Sequence, residues 1–148
     1  MRAVVQRVKR ARVLVGDEEV GAVGVGLLVL VGAMKGDGPS DAAWLARKLL
    51  SLRIFSDEAG KMNRSIREVA GQCLVVSQFT LCADTSGGSR PSFGPALDPE
   101  SAERLVEDLV REMGREVPVA TGRFGASMGV ELVNDGPVTL WLDSRAKA

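Results

Sequence analysis

Val23-Gly24-Val25-Gly26-Leu27-Leu28-Val29-Leu30-Val31 is apolar or glycine throughout. Its Gly-x-Gly pattern leads into sheet-forming residues and not into a capped helix, which argues against a dinucleotide-binding turn. Such a run reads as a strand buried on both faces, so the sheet around it must be covered on both sides. Toward the N-terminus, residues 4–15 carry β-branched side chains with Arg and Lys interleaved, as in a strand with one solvated face. Gly16-Asp17 signals a turn, and Glu18-Glu19-Val20-Gly21 reads as a short strand or hairpin arm. Arg2, Arg7, Lys9, Arg10 and Arg12 crowd this end with no acid before Asp17. The plainest reading is a solvated strand edge, where cations discourage edge-to-edge pairing.

Toward the C-terminus, two helices stand out. One begins near Pro39-Ser40-Asp41, with Ser40 as the expected N-cap and Leu45, Leu49 and Leu52 as its apolar stripe. The other begins at Asp98-Pro99-Glu100, where Asp98 caps, Pro99 fills the first helical position and Glu100 suits the positive end of the dipole. Ala102, Leu105, Val106, Leu109 and Met113 form its buried face, and Gly114 is the expected stop. Residues 72–79 predict a central strand, and 117–121, 127–133 and 138–143 predict three more. The fold class is α/β: a single layered domain over 1–148 with a mixed, largely antiparallel sheet and two main helices.

Composition narrows the function. The chain has 148 residues, enough to bury a core without a metal or disulfide staple. Nineteen basic and nineteen acidic residues cancel, which argues against broad electrostatic binding of nucleic acid. Histidine is absent, so the usual general base of ester hydrolysis is missing. Cys73 and Cys82 have no metal-ligand spacing; as free thiols they suggest a reducing, cytoplasmic setting. The longest apolar run, 23–33, is interrupted by glycines and too short to span a bilayer. No secretory signal opens the chain. The expectation is a cytoplasmic protein with no metal, cofactor or membrane partner.

Two stretches could carry chemistry. Ser77-Gln78-Phe79-Thr80 closes the apolar run Cys73-Leu74-Val75-Val76. It offers two hydroxyls, a side-chain amide and strand-end N–H groups able to bind a developing oxyanion. It also reads as a polar strand end satisfying its own backbone. Thr80 has no free α-amine and no visible base, so its activation as a nucleophile is not apparent. Asn134-Asp135-Gly136-Pro137 reads on spacing alone as a hairpin turn between two strands, although proline opening the next strand lacks a ladder donor. Sequence does not choose between cis and trans for Gly136-Pro137. The loops 85–95 and 121–126 have the Gly/Ser/Arg composition of ligand surroundings and, equally, of mobile loops. Within the second, Phe124 reads as core or interface, with a base-stacking platform as the sharper alternative.

Together these segments resemble the D-aminoacyl-tRNA deacylase family, also described as D-tyrosyl-tRNA deacylases. The resemblance rests on Met1-Arg2-Ala3-Val4-Val5-Gln6-Arg7-Val8, Lys61-Met62-Asn63, Ser77-Gln78-Phe79-Thr80-Leu81, Arg90-Pro91-Ser92-Phe93, Gly125-Ala126-Ser127-Met128 and Asn134-Asp135-Gly136-Pro137-Val138-Thr139. The loop Ser86-Gly87-Gly88-Ser89 departs from the family's frequent Lys-Gly-Asn. The resemblance implies hydrolysis of D-aminoacyl-tRNA in a homodimer with both active sites at the subunit interface. It implies that Ser77, Gln78, Phe79 and Thr80 form the catalytic ester pocket. Gly136 and Pro137, joined by a cis bond, would be the chirality filter lent to the partner's site. Arg7 would help hold that loop, and Phe124, Ala126, Met128 and Asn134 would line or support the pocket beside the terminal adenosine. A mischarged glycyl ester would also be cleaved. The rival readings are a dimeric module that binds tRNA ends without turnover, and a serine or threonine esterase of small esters.

Overall fold

The computed structural model describes residues 1–146, so residues 147–148 of the domain expected over 1–148 lie outside it. The chain begins with three strands, β1 (Arg2–Val15), β2 (Glu18–Val23) and β3 (Gly26–Gly32), followed by helix α1 (Pro39–Ser51). A small hairpin of β4 (Phe55–Ser56) and β5 (Met62–Arg64) leads to β6 (Gln72–Ser77) and a 3₁₀ turn, Phe79–Cys82. Helix α2 (Pro99–Gly114), β7 (Val119–Thr121) and β8 (Gly129–Asp143) complete the order. β1 pairs antiparallel with β2, β3 and β8, while β6 runs parallel to both β3 and β7. The sheet is therefore mixed and, by pairings, mostly antiparallel.

β3 is buried on both faces, with Leu27, Leu28, Val29 and Val31 nearly sealed from solvent. Its odd-numbered face, with Ala3 and Val5 of β1, packs on Leu45 and Leu49 of α1 and Leu105 and Leu109 of α2. Its other face is covered by the chain itself. The far half of β1, with Ala11 and Val13, joins Val8, Val23, Leu28, Leu74 and Val76 in a second core, edged by Val130 and Leu132 of β8. The register of β1 against β8 shifts between Gln6 and Val8 and again between Val8 and Arg10, where β1 passes from one layer to the other.

Four expectations need correction. β1 is no sheet edge: β2 and β3 line one side and β8 the other, so its cations flank an interior strand. The N-cap of α1 is Gly38 and not Ser40; the Asp41 carboxylate accepts from the Gly38 N–H at 2.9 Å, and Pro39 opens the helix. Gly114 ends α2 from inside, and the cap is Arg115 in ordinary right-handed geometry. Finally, Asp135-Gly136 is not a hairpin turn. β8 runs through it as one strand, and Asp135, Gly136, Pro137 and Val138 all stand opposite Arg7, between the pairs Gln6–Thr139 and Val8–Asn134. The strands expected over 127–133 and 138–143 are one strand with a bulged corner. The Gly136-Pro137 peptide bond is cis.

Candidate active site

The Gln78 N–H gives the last ladder bond, to the Val31 carbonyl at 2.7 Å, and beyond it the chain leaves β6 and enters the 3₁₀ turn. Glycine at position 32 makes this possible. A Cβ there would lie 2.8 Å from the Gln78 carbonyl oxygen and 3.0 Å from Cys82 Sγ, so the turn lies directly on the β3 backbone. The Phe79 and Thr80 N–H groups open the turn, where the first amides have no partner within it. The Gln78 side-chain amide donates to Thr80 Oγ1. An amide donor takes no proton, so this contact orients the hydroxyl without activating it.

Beside the turn is a cavity of about 570 Å3. Ser77, Gln78 and Phe79 form one wall, and Phe124, Ala126, Met128 and Val130 another. The start of α2 closes a third side with Pro99, Ala102 and Val106. Phe79 and Phe93 meet edge to face at the mouth, with ring centroids 5.0 Å apart, although Phe79 remains 55% exposed. At the rim, the Ser101 N–H holds the Asp98 carboxyl below the usual carboxylate range. Met128 reaches the cavity because Gly122 leaves room for its sulfur, which also accepts from the Arg123 N–H at 3.4 Å. Among the described residues, no three His, Cys, Asp or Glu side chains gather as a metal site, and no helix is long and apolar enough to cross a membrane.

Gly136 and Pro137 form a second, separate cluster. Both are exposed on β8, at the open edge of the sheet. Asn134 braces the corner from within: its Oδ1 accepts from the Val138 N–H at 2.8 Å, and its Nδ2 donates to Thr139 Oγ1 at 2.9 Å. Arg7 braces it from the neighbouring strand, with Nε donating to the Asp135 carbonyl at 3.2 Å and Nη1 to the Ile54 carbonyl at 2.7 Å. None of Arg7, Asn134, Gly136 and Pro137 lines the cavity among the described residues.

The chain therefore brings Ser77, Gln78, Phe79, Phe124, Ala126 and Met128 together around the cavity, with Thr80 exposed on the adjoining turn and not among its lining residues, and keeps the corner apart. Registers give the distance. Ser77 aligns through Val31 with Ala3, four residues along β1 from Arg7, and β6 lies three strand spacings from β8. At about 3.3 Å per residue and about 4.8 Å per strand, the two clusters are roughly 20 Å apart along the sheet.

A family model described as D-Tyr-tRNA(Tyr) deacylase matches residues 4–143. The chain belongs to this family. Among proteins named D-aminoacyl-tRNA deacylase, that of Roseiflexus sp. is 59% identical over 145 residues, covering 97% of this chain and 94% of the relative. The Cereibacter sphaeroides protein is 56% identical over 145 residues, 97% of this chain and all of its own length. Among solved structures, one titled c-Myc DNA Unwinding Element Binding Protein is 39% identical with a TM-score of 0.91, covering 97% of this chain and 98% of that one. A structure titled as a probable eukaryotic D-amino acid tRNA deacylase is 18% identical with a TM-score of 0.79 over 95% of this chain and 97% of its own; it speaks to the fold alone. As a member of the deacylase family the chain is a hydrolase, and its mixed sheet with two helices is the family's architecture.

Several residues that line this cavity carry no functional signal of their own in the sequence. Phe93 reads only as part of the Arg90-Pro91-Ser92-Phe93 motif, and Pro99, Ala102 and Val106 read only as the start and buried face of a helix. Gly32 carried one usable signal: a glycine closing an otherwise aliphatic strand often marks close backbone approach.

Proposed function

We propose that this chain hydrolyses the ester joining a D-amino acid to the terminal adenosine of tRNA, in a site that a second copy completes. The observation that carries the reading is the division of the motif residues into two clusters on one sheet. A two-fold axis lying in the plane of contact, and bisecting the line between the clusters, carries the corner of each chain to the pocket of the other. The sheet offers a face for this contact. Val76, Leu30, Val4 and Trp141 are in register across β6, β3, β1 and β8 and so share a face, and Trp141 is 53% exposed. Val76 is itself buried and Leu30 and Val4 are partly buried, so the surface this row offers a second copy is the exposed Trp141 ring, on the strand that also bears Pro137.

The chemistry follows from what the pocket holds. An aminoacyl ester is labile, so positioning and oxyanion donors suffice for useful acceleration. The Phe79 and Thr80 N–H groups polarise the ester carbonyl, and the neighbouring ribose hydroxyl assists the attacking water. Phe79 and Phe93 present apolar ring surface at the mouth, where the terminal adenosine stacks. The partner's Gly136-Pro137 forms a backbone wall at the α-carbon. Hydrogen fits against it and a carbon substituent does not, so L-esters are refused and D-esters of many kinds accepted. Glycine has no carbon to refuse, so glycyl-tRNA is a substrate. A substrate of translation supports a cytoplasmic setting, and two buried free thiols accord with that.

The test is release of D-tyrosine from D-tyrosyl-tRNA beside the L-ester on the same tRNA. Rapid loss of the D-ester alone is expected; equal loss of both, or of neither, overturns the proposal.

A further inference from the structure

Resting on the reading that the turn at Phe79 supplies the carbonyl donors, we infer that Arg2 is a positioning residue for catalysis, holding that turn from its carbonyl end. Arg2 stands in register with Gly32 on one side and Asp143 on the other. Gly32 is the point where the 3₁₀ turn rests on the sheet, so Arg2 flanks the turn's seat. Its Nη1 donates to the Leu81 carbonyl at 3.0 Å, from outside the turn's own hydrogen bonds. A carbonyl near the end of a short turn has no partner further along it, and a guanidinium is the strongest neutralising donor available. Four residues separate no more than one turn of backbone. Whatever fixes the Leu81 carbonyl therefore also fixes the direction of the Phe79 and Thr80 N–H groups, and donors of this kind lose effect with small displacements.

Arg2 is itself held by β8. Its guanidinium lies 5.8 Å from the centre of the Trp141 ring, and its Nε is 3.7 Å from Asp143 Oδ2. That Nε is buried yet lacks a hydrogen-bond partner, since 3.7 Å is too long for one. A buried donor without a partner is retained at a cost, which is reasonable only where the rest of the fork has a task. That task is the Leu81 contact. Arg2 does not itself line the cavity, so it acts through the turn and not on the substrate.

The experiment compares Arg2→Ala, Arg2→Lys and Gly32→Ala for kcat and KM on a D-aminoacyl-tRNA, with sedimentation and a melting curve on each protein. Arg2→Ala is expected to lower kcat by about 10- to 100-fold, the rate equivalent of one charge-assisted hydrogen bond, with KM held within about threefold. Added guanidinium ion restores part of that kcat, because the vacated site is partly open to solvent. Arg2→Lys keeps the charge and stem but lacks the fork, and falls between wild type and alanine. Wild-type kcat in both Arg2 variants overturns the inference, as does a change confined to KM or to the dimer equilibrium. Should Arg2→Ala fail to fold, the lysine variant decides alone by the same criterion. Gly32→Ala lifts the turn without touching Arg2. If it keeps full kcat, the turn is not the oxyanion donor and the chemistry proposed above falls; if it alone loses kcat, only the role of Arg2 falls.

Discussion

The Arg7 guanidinium meets Asp135 twice: Nε donates to its carbonyl oxygen at 3.2 Å and lies 3.5 Å from its carboxylate. The Arg7 side chain is only 11% exposed, whereas that of Asp135 is 41% exposed, so solvent screens the ion pair from the carboxylate side. The same guanidinium bonds the Ile54 carbonyl after α1, tying the β8 corner to the helical layer. Arg7→Met leaves that carbonyl without its donor and frees the corner. Loss of a hydrogen bond from a charged group costs about 1.5–3 kcal/mol, so a lower melting midpoint is expected. Discrimination should suffer too, read as a smaller ratio of D- to L-tyrosyl-tRNA hydrolysis; an unchanged ratio would separate Arg7 from the filter. Gly136→Ala attacks the same corner. Its φ is +125°, and a Cβ would lie 2.9 Å from Val138 Cγ2 and 3.0 Å from Arg7 Nη2.

Thr80 offers a sharper contrast. Its hydroxyl faces an amide donor and no base, so Thr80→Ala should keep kcat within about tenfold, whereas losing an oxyanion donor costs about 2.7–4 kcal/mol. Rapid quench and mass spectrometry on the wild type should find no acylated Thr80. A trapped acyl-threonine would reverse the mechanism.

If the corner serves the other subunit, two defective proteins can rescue each other. Gly32→Ala damages the pocket and Gly136→Ala the corner. Refolded together at equal concentration, they should recover about a quarter of wild-type activity, since half of randomly formed dimers are mixed and each mixed dimer holds one intact site. Activity no higher than the mean of the two separate variants would place both clusters in one subunit's own site.

Glycyl-tRNA and L-alanyl-tRNA differ by one methyl group. A pocket that merely accommodates a methylene discriminates by only about 1–3 kcal/mol, because side chains repack. A backbone wall does not repack, so glycyl ester should be cleaved and L-alanyl ester spared by a larger factor. The measurement is the ratio of their deacylation rates on one tRNA; comparable rates would remove the wall.

Burial pushes the Cys73 thiol up to about 12, and burial raises Cys82 as well. Both are neutral thiols across the working range, and the nucleophilic thiolate appears only as pH approaches those raised values. Iodoacetamide at pH 8 should therefore leave the folded protein unlabelled and active. Alkylation with inhibition would give a cysteine a role that its burial denies.

Local pattern carried much of the fold. The β3 run was legible because no polar residue interrupts it, and α2 because Asp98, Pro99 and a 3.6-residue stripe agree. The Asn134-Asp135-Gly136-Pro137 segment misled because its local turn chemistry is sound; what prevents a hairpin is β1, 14 residues long, which pairs on both sides of the corner and keeps β8 in line. The cap of α1 was misplaced because glycine has no side chain to announce a cap, whereas Ser40 does. The pocket residues were legible chiefly through resemblance. Their gathering depends on a register four strands wide and on Gly32, and neither leaves a short-range trace.

β1 contributes Ala3 and Val5 to one core and Val8, Ala11 and Val13 to the other. Its amides point alternately to β8 and to β2 or β3, so deuterium exchange along β1 reports the opening of each side. A disturbance that loosens one core therefore acts on a strand that the other core also needs. In the proposed two-copy site the same strand backs the corner offered to the partner, through Arg7, and the seat of the chain's own turn, through Arg2. One strand thus couples what a copy lends to what it keeps, and a substitution in either core can be read at both places.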